Sequence, residues 1–170
     1  MLRFLYVCAA LAVLPPAGMA QTVAAGAAAV HDAGRMTPDM DSFFKTLKRP
    51  DSPNHWLVAP ADFAVKPDAV APHFAVPAAA LRAAFKAVVQ QTKGADVVAE
   101  TADGAHIVVT TAVFGFKDDL RVQFIALSPQ QSTLALYSAS RTGYWDLGTN
   151  RRRVEDWMIR IRSTLPGIKP

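Results

Sequence analysis

Leu81, Phe85, Val88 and Val89 recur at helical spacing, with Arg82, Lys86, Gln90 and Lys93 on the opposite side of the same turns. That pattern predicts an amphipathic helix, opened by Pro77 in its first turn and stopped at Gly94. A second apolar stripe, Val154, Trp157, Met158, Ile161 and Leu165, predicts a helix from about Asn150 to Leu165, ended by Pro166-Gly167. Between the two the period changes. His106–Phe116 alternates, with Val108, Thr110, Ala112, Phe114 and Phe116 on one side and Ile107, Val109, Thr111 and Val113 on the other. Leu120, Val122 and Phe124 share a face in Leu120–Leu127. With Asp96–Glu100 and Thr133–Arg141 this makes four strands, joined by Thr101-Ala102-Asp103-Gly104, Lys117-Asp118-Asp119 and Ser128-Pro129-Gln130-Gln131 as turns.

Strands joined by turns this short must run antiparallel, and two amphipathic helices need an apolar surface to cover. The expected fold is therefore α+β, an antiparallel sheet of about four or five strands with two main helices packed on one face. Upstream, Asp41-Ser42 can cap a short helix through Phe43, Phe44 and Leu47 that ends before Pro50. The proline-rich stretch Asp51–Pro72 reads as extended chain wrapping over the core.

The first forty residues add a location. Met1-Leu2-Arg3, an apolar run from Phe4 to Leu14, and Pro15-Pro16-Ala17-Gly18-Met19-Ala20 have the form of a cleavable signal peptide over residues 1–20. The apolar run is too short for a membrane span, and no later segment is long enough, so no transmembrane segment is expected after cleavage. Residues 21–40 read as a flexible Ala/Gly-rich leader and 41–170 as a single domain. The expected location is periplasmic or secreted.

Cys8, the only cysteine, lies within the signal, so the mature chain should have neither disulfide nor thiolate site. The formal net charge of +4 favours anionic partners. An anionic small molecule, a lipid headgroup or an envelope protein fits that compartment, and nucleic acid does not. His31, His55, His73 and His106 lack ligand-like spacing, so no metal or other cofactor is expected.

Ser138–Arg153, SASRTGYWDLGTNRRR, carries the candidate chemistry. Arg151, Arg152 and Arg153 fall in the first turn of the last helix, where the helix dipole disfavours cations. They call for anions, which Asp118, Asp119 and Asp146 could supply from within. Alternatively, arginine forks and free helix N–H groups could receive an external one. In that second reading Arg141, Asn150 and Arg151 hold a phosphate or carboxylate beside Asp146, with Tyr144 or Trp145 stacking on it. Gly143 and Gly148 would supply turn conformations barred to other residues. Asp118-Asp119 is the best available acid–base pair, and Ser138 and Ser140 lie on one face of a strand without a histidine nearby in sequence.

Phe114-Gly115-Phe116-Lys117-Asp118-Asp119, Ser138-Ala139-Ser140-Arg141-Thr142-Gly143-Tyr144, Asp146-Leu147-Gly148, Asn150-Arg151-Arg152-Arg153 and Ser52-Pro53-Asn54 together resemble the bacterial and plastid domain-of-unknown-function 1499 (DUF1499) family. The resemblance covers about Asp51 to Leu165. Where that family usually has cysteine after Ser-Pro-Asn, this chain has His55. The resemblance implies domain limits and a site but no reaction.

The expectation is thus an exported envelope protein binding an anionic ligand or a protein partner through this corner without catalysis. One alternative is a small hydrolase using Asp118 or Asp119; another is a purely structural module. A binding or catalytic site requires a concave opening beside Arg141 and Asn150. A structural lock requires the same side chains to be saturated by the aspartates.

Overall fold

The structure, a computed structural model, describes residues 40–165. The expected signal peptide, nearly all of the leader and the Pro166-Gly167 stop lie outside the described residues. The elements in chain order are α1 (Met40–Lys45), β1 (His55–Ala59), β2 (Ala69–Val70), α2 (Ala78–Gln90), β3 (Ala95–Glu100), β4 (Gly104–Thr110), β5 (Lys117–Ser128), β6 (Gln131–Ser140) and α3 (Thr149–Thr164). The fold is α+β, built on one six-stranded sheet of order β2-β1-β6-β5-β4-β3.

The antiparallel meander β3-β4-β5-β6 is as expected, but the sheet is larger and mixed. β1 pairs antiparallel with β6, and β2 pairs parallel with β1, through Val58 with Ala69 and Ala59 with Val70. Both strands come from the proline-rich stretch expected to wrap the surface. His55–Ala59 fits between Pro53 and Pro60, which bound a strand without interrupting its ladder. Asp68 then ties the crossover down. Its Oδ2 accepts the Leu57 N–H at 2.8 Å, while Arg49 holds the same carboxylate at 2.6 and 2.7 Å.

The two long helices cover one face, where Leu81, Phe85 and Val88 of α2 and Val154, Trp157 and Ile161 of α3 meet Ile107, Leu120, Val122, Leu134 and Leu136. Trp157 is 1 % exposed and packs edge-on to Phe85, which does the same against Phe124. The third helix, α1, lies against the other face, where Phe44 joins Leu57, Ala59, Ala135 and Tyr137. Burying a side chain of this size contributes about 1.5–3 kcal/mol, so both faces are held by their apolar stripes.

One boundary moved with consequences. The alternation through Phe116 suggested a strand, but β4 ends at Thr110, and 111–116 is the connection that turns the chain into β5. Lys117-Asp118-Asp119, expected to be a turn, forms the first residues of that strand.

Candidate functional site

Three segments converge at one end of the sheet. Thr110 at the end of β4 pairs with Lys117, Asp118 of β5 pairs with Ser140, and His55 at the start of β1 pairs with Ala139. The loops 111–116 and 141–148 and the approach through Ser52-Pro53-Asn54 therefore lie side by side.

Strand alternation separates the two aspartates. Asp118 points with Leu120 and Val122 toward the helices; Asp119 points to the opposite face. They cannot act as an acid–base pair in one site, which corrects that expectation. Asp119 accepts the Arg141 fork, Nε at 2.8 Å and a terminal nitrogen at 2.8 Å, and lies 2.6 Å from His106 Nε2. Burial raises its pKa, but the hydrogen bonds from Arg141 and His106 outweigh that and hold the carboxyl well below its usual range.

On the helix side a buried polar network joins the approach to β1, β5, β6 and α3. Arg153 donates to Asp118 Oδ2 at 2.5 Å, to Asn150 Oδ1 at 3.1 Å and to Ser138 Oγ at 3.3 Å. Asn150, fully buried, is the hub. Its Oδ1 accepts the Ser138 hydroxyl at 2.5 Å, and its Nδ2 is shared among Asn54 O at 2.9 Å, Ser140 Oγ at 2.9 Å and Asp146 Oδ2 at 2.8 Å. Asn54 completes the set, donating from Nδ2 to the Gly143 carbonyl at 2.5 Å and accepting the Ser52 hydroxyl at 2.8 Å. The Ser-Pro-Asn segment and the corner, far apart in sequence, are thus one structure. Asn54 is a site residue that spacing could not reveal.

The start of α3 is closed by the chain itself. Gly148 precedes the helix in the left-handed region, φ 74°, and offers no side chain to cap it. Asp146 supplies the cap, accepting the Gly148 and Asn150 N–H groups at 2.8 Å each, while its backbone carbonyl accepts the Thr149 N–H at 3.0 Å. Burial pushes the Asp146 pKa up, but the Asn150 backbone and side-chain donors and the Gly148 N–H bring it below the usual value. The Asn150 donors and the Gly148 N–H at the start of the helix, expected to be open to an external anion, are held by this carboxylate.

Above the network opens a cleft of about 510 Å³. Val113, Phe114 and Phe116 of one loop and Trp145 and Leu147 of the other wall it, and Asp118, Ser140 and Asp146 form part of its floor. The wall residues are exposed, from 54 % at Phe116 to 82 % at Val113 and Leu147. Phe114 and Phe116 stack at 5.5 Å, and Tyr144 meets Trp145 edge-on at 5.4 Å.

Of the residues expected at the site, Asp118 and Asp146 line this cleft, and Asn150 lies directly beneath, bonded to Asp146 and Ser140. Arg141 turns to the other face with Asp119. Arg151 pairs with Glu155 at 2.8 Å and stacks its guanidinium over Trp56, 5.0 Å from the ring centroid. Tyr144 supports Trp145. Ser140 and the wall of Phe114, Phe116 and Leu147 were missed as a binding surface, because the alternation of 106–116 had assigned the phenylalanines to a strand.

A search among curated proteins finds no match to the chain. A family model, Protein of unknown function (DUF1499), matches residues 46–161. With that much of its length matched, and with the Ser-Pro-Asn segment and the Arg/Asp/Asn corner joined in one network, the chain belongs to the DUF1499 family.

Proposed function

We propose that this protein is an exported, non-catalytic binding module of the cell envelope whose ligand is a neutral amphiphile with an apolar body and a hydroxyl or amide head. The observation that carries this reading is the cleft itself, with exposed aromatic and aliphatic walls over a fixed polar floor. Such a combination of apolar lining and a few convergent polar groups suits a small ligand. At the floor, Asp118 commits one oxygen to Arg153, and its Oδ1 has no hydrogen-bond partner among the described residues. Ser140 Oγ accepts from Asn150, so its own proton is available. A head group that both donates and accepts meets both. The start of the chain, with its basic, apolar and small-residue segments, supports export.

An anion held by the arginine corner has less support, since Arg141, Arg151 and Arg153 each already carry a carboxylate partner. A hydrolase using Asp118 has less support for a different reason: no histidine lines the cleft, and the hydrogen bond to Ser140 Oγ comes from the Asn150 amide, with none to a carboxylate among the described residues.

The test is titration of the protein with 1-lauroylglycerol below its micelle concentration, followed by tryptophan fluorescence. Trp145 is 71 % exposed and Trp157 is 1 % exposed, so a rim event reads out on Trp145. The expected result is a saturable change, lost in Phe114→Ser and weakened in Ser140→Ala. The absence of a saturable change would overturn the reading. Release of free laurate would overturn its non-catalytic half in favour of a hydrolase.

A further inference from the structure

The two loops that wall the cleft do more than enclose it. Val113 and Phe114 at the tip of one, and Tyr144, Trp145 and Leu147 on the other, project five large apolar side chains from one end of the sheet, each at least 58 % exposed. Neither loop covers the other's side chains, although both border the same cleft. Aromatic residues with one wet and one apolar side favour the boundary between water and hydrocarbon.

Around these tips the carboxylates are engaged and the free charges are mainly positive. The acidic residues between Thr111 and Thr149 are Asp118, Asp119 and Asp146. The first is held by Arg153, the second by Arg141 and His106, and the third by the N–H groups of α3. Their charges are compensated locally. Lys117, exposed at the foot of the first loop, has no ion-pair partner among the described residues. Arg152 at the foot of the second donates to the Leu147 carbonyl at 2.8 Å and likewise has no carboxylate partner among them. Each apolar tip therefore stands beside a cation that forms no ion pair among the described residues.

The geometry points to this end of the molecule as a docking surface for an anionic lipid bilayer, with the 111–116 and 141–148 loop tips entering the interfacial layer and Lys117 and Arg152 facing the headgroups. Shallow insertion of apolar side chains combined with attraction to anionic lipid is the pairing that gives reversible membrane binding. The open mouth of the cleft then faces the membrane. The inference goes beyond the cleft reading and does not need it, because the exposed tips and the two cations stand whatever the cleft holds.

The experiment is co-sedimentation with phosphatidylcholine vesicles, with and without phosphatidylglycerol, together with quenching of Trp145 by brominated acyl chains. The expected result is binding that requires phosphatidylglycerol, weakens with salt, and quenches an emission absent from Trp145→Phe. Lys117→Gln with Arg152→Gln should lower vesicle binding roughly tenfold or more and leave the lauroylglycerol titration unchanged, since neither residue lines the cleft. Phe114→Ser should weaken both. Each of these positions is exposed, so an unchanged melting temperature certifies that the variants fold. No sedimentation with either vesicle, or binding undiminished by the double variant, would overturn the proposal. So would self-association of the wild-type chain, abolished by Phe114→Ser, in place of vesicle binding, which would make the tips a protein interface. Loss of lauroylglycerol binding with vesicle binding intact would remove the cleft reading alone.

Discussion

Arg153 and Asp118 meet at 2.5 Å between the first turns of α3 and the first residues of β5, with side chains only 10 % and 3 % exposed. This pair, rather than Arg151 with any aspartate, pins the last helix to the sheet. Because Arg153 also reaches Asn150 and Ser138, the ion pair is embedded in hydrogen bonds that offset part of the cost of removing two charges from water.

Removing one partner should expose that cost. Arg153→Ala or Asp118→Ala is expected to destabilise the domain by about 3–5 kcal/mol, because the remaining charge is buried and uncompensated. The double replacement Arg153→Met with Asp118→Leu should recover most of the loss. Urea unfolding of the four proteins checks it, and a single variant within about 1 kcal/mol of wild type would contradict the lock. Arg151→Ala, removing an exposed i,i+4 pair with Glu155, should cost about 0.3–0.5 kcal/mol from that pair.

Asn150 presents a second case. Its amide bonds to Ser138, Ser140, Asn54 and Asp146, groups contributed by one strand, a loop and the approach to β1. Asn150→Ala leaves several buried groups without partners, each costing about 1–3 kcal/mol. Asn150→Asp keeps the shape but sets a carboxylate beside Asp146 and against the Asn54 carbonyl. Both variants should unfold at lower urea, and neither should be rescued by the other's conditions: Asn150→Asp should improve on acidification, Asn150→Ala should not.

What was legible in the sequence follows the range of the forces involved. The stripes of α2 and α3 are local and strong, and Leu81, Phe85, Val154, Trp157 and Ile161 are buried as their spacing predicted. Gly143 and Gly148 do take positive φ, 88° and 74°. β1 was not legible, because five residues between prolines become a strand only when β6 offers them a ladder. The alternation of 106–116 misled for the converse reason. Phe114 and Phe116 continue the period, but no neighbouring strand pairs with them beyond Thr110, and the chain turns instead.

The corner was found by its density of arginine, glycine and asparagine, yet its wiring was not. Sequence order places three arginines together, but helix geometry sends them apart. Arg151 goes to Trp56, Arg152 to the Leu147 carbonyl and Arg153 into the core. Asn54, at the far end of the chain's matched region, is brought in by the tertiary fold alone.

Acid stability depends on Asp119 and Asp146, whose folded-state pKa values are both depressed, the first by Arg141 and His106 against burial, the second by the donors of α3 against burial. A depressed carboxylate contributes stability that is fully present above its unfolded value of about 4 and is lost as pH falls through the folded value. The melting temperature should therefore hold from neutrality to about pH 5 and fall steeply below pH 4. Asp119→Asn should be less stable at neutral pH and show a shallower acid limb. Thermal melts across this range decide it; an unchanged acid limb in the variant would remove Asp119 from the account.

Leu147 stands at the cleft mouth with φ 53°, the sole positive-φ residue other than glycine among the described residues, and is 82 % exposed. A leucine in the left-handed region costs about 1–2 kcal/mol, and one so exposed regains little of that by packing. Asparagine tolerates this conformation. Leu147→Asn is therefore expected to stabilise the fold by roughly 0.5–1 kcal/mol, while weakening both lauroylglycerol and vesicle binding, since it removes one of the five apolar tips. Gly148→Ala, by contrast, forces strain at φ 74° directly under the Asp146 cap and should destabilise the start of α3. Paired measurement of melting temperature and vesicle affinity separates the two effects. Gain of stability with loss of binding in Leu147→Asn would mark the strained leucine as retained for contact with a ligand or membrane. A loss of stability in the same variant would show that the leucine serves the fold.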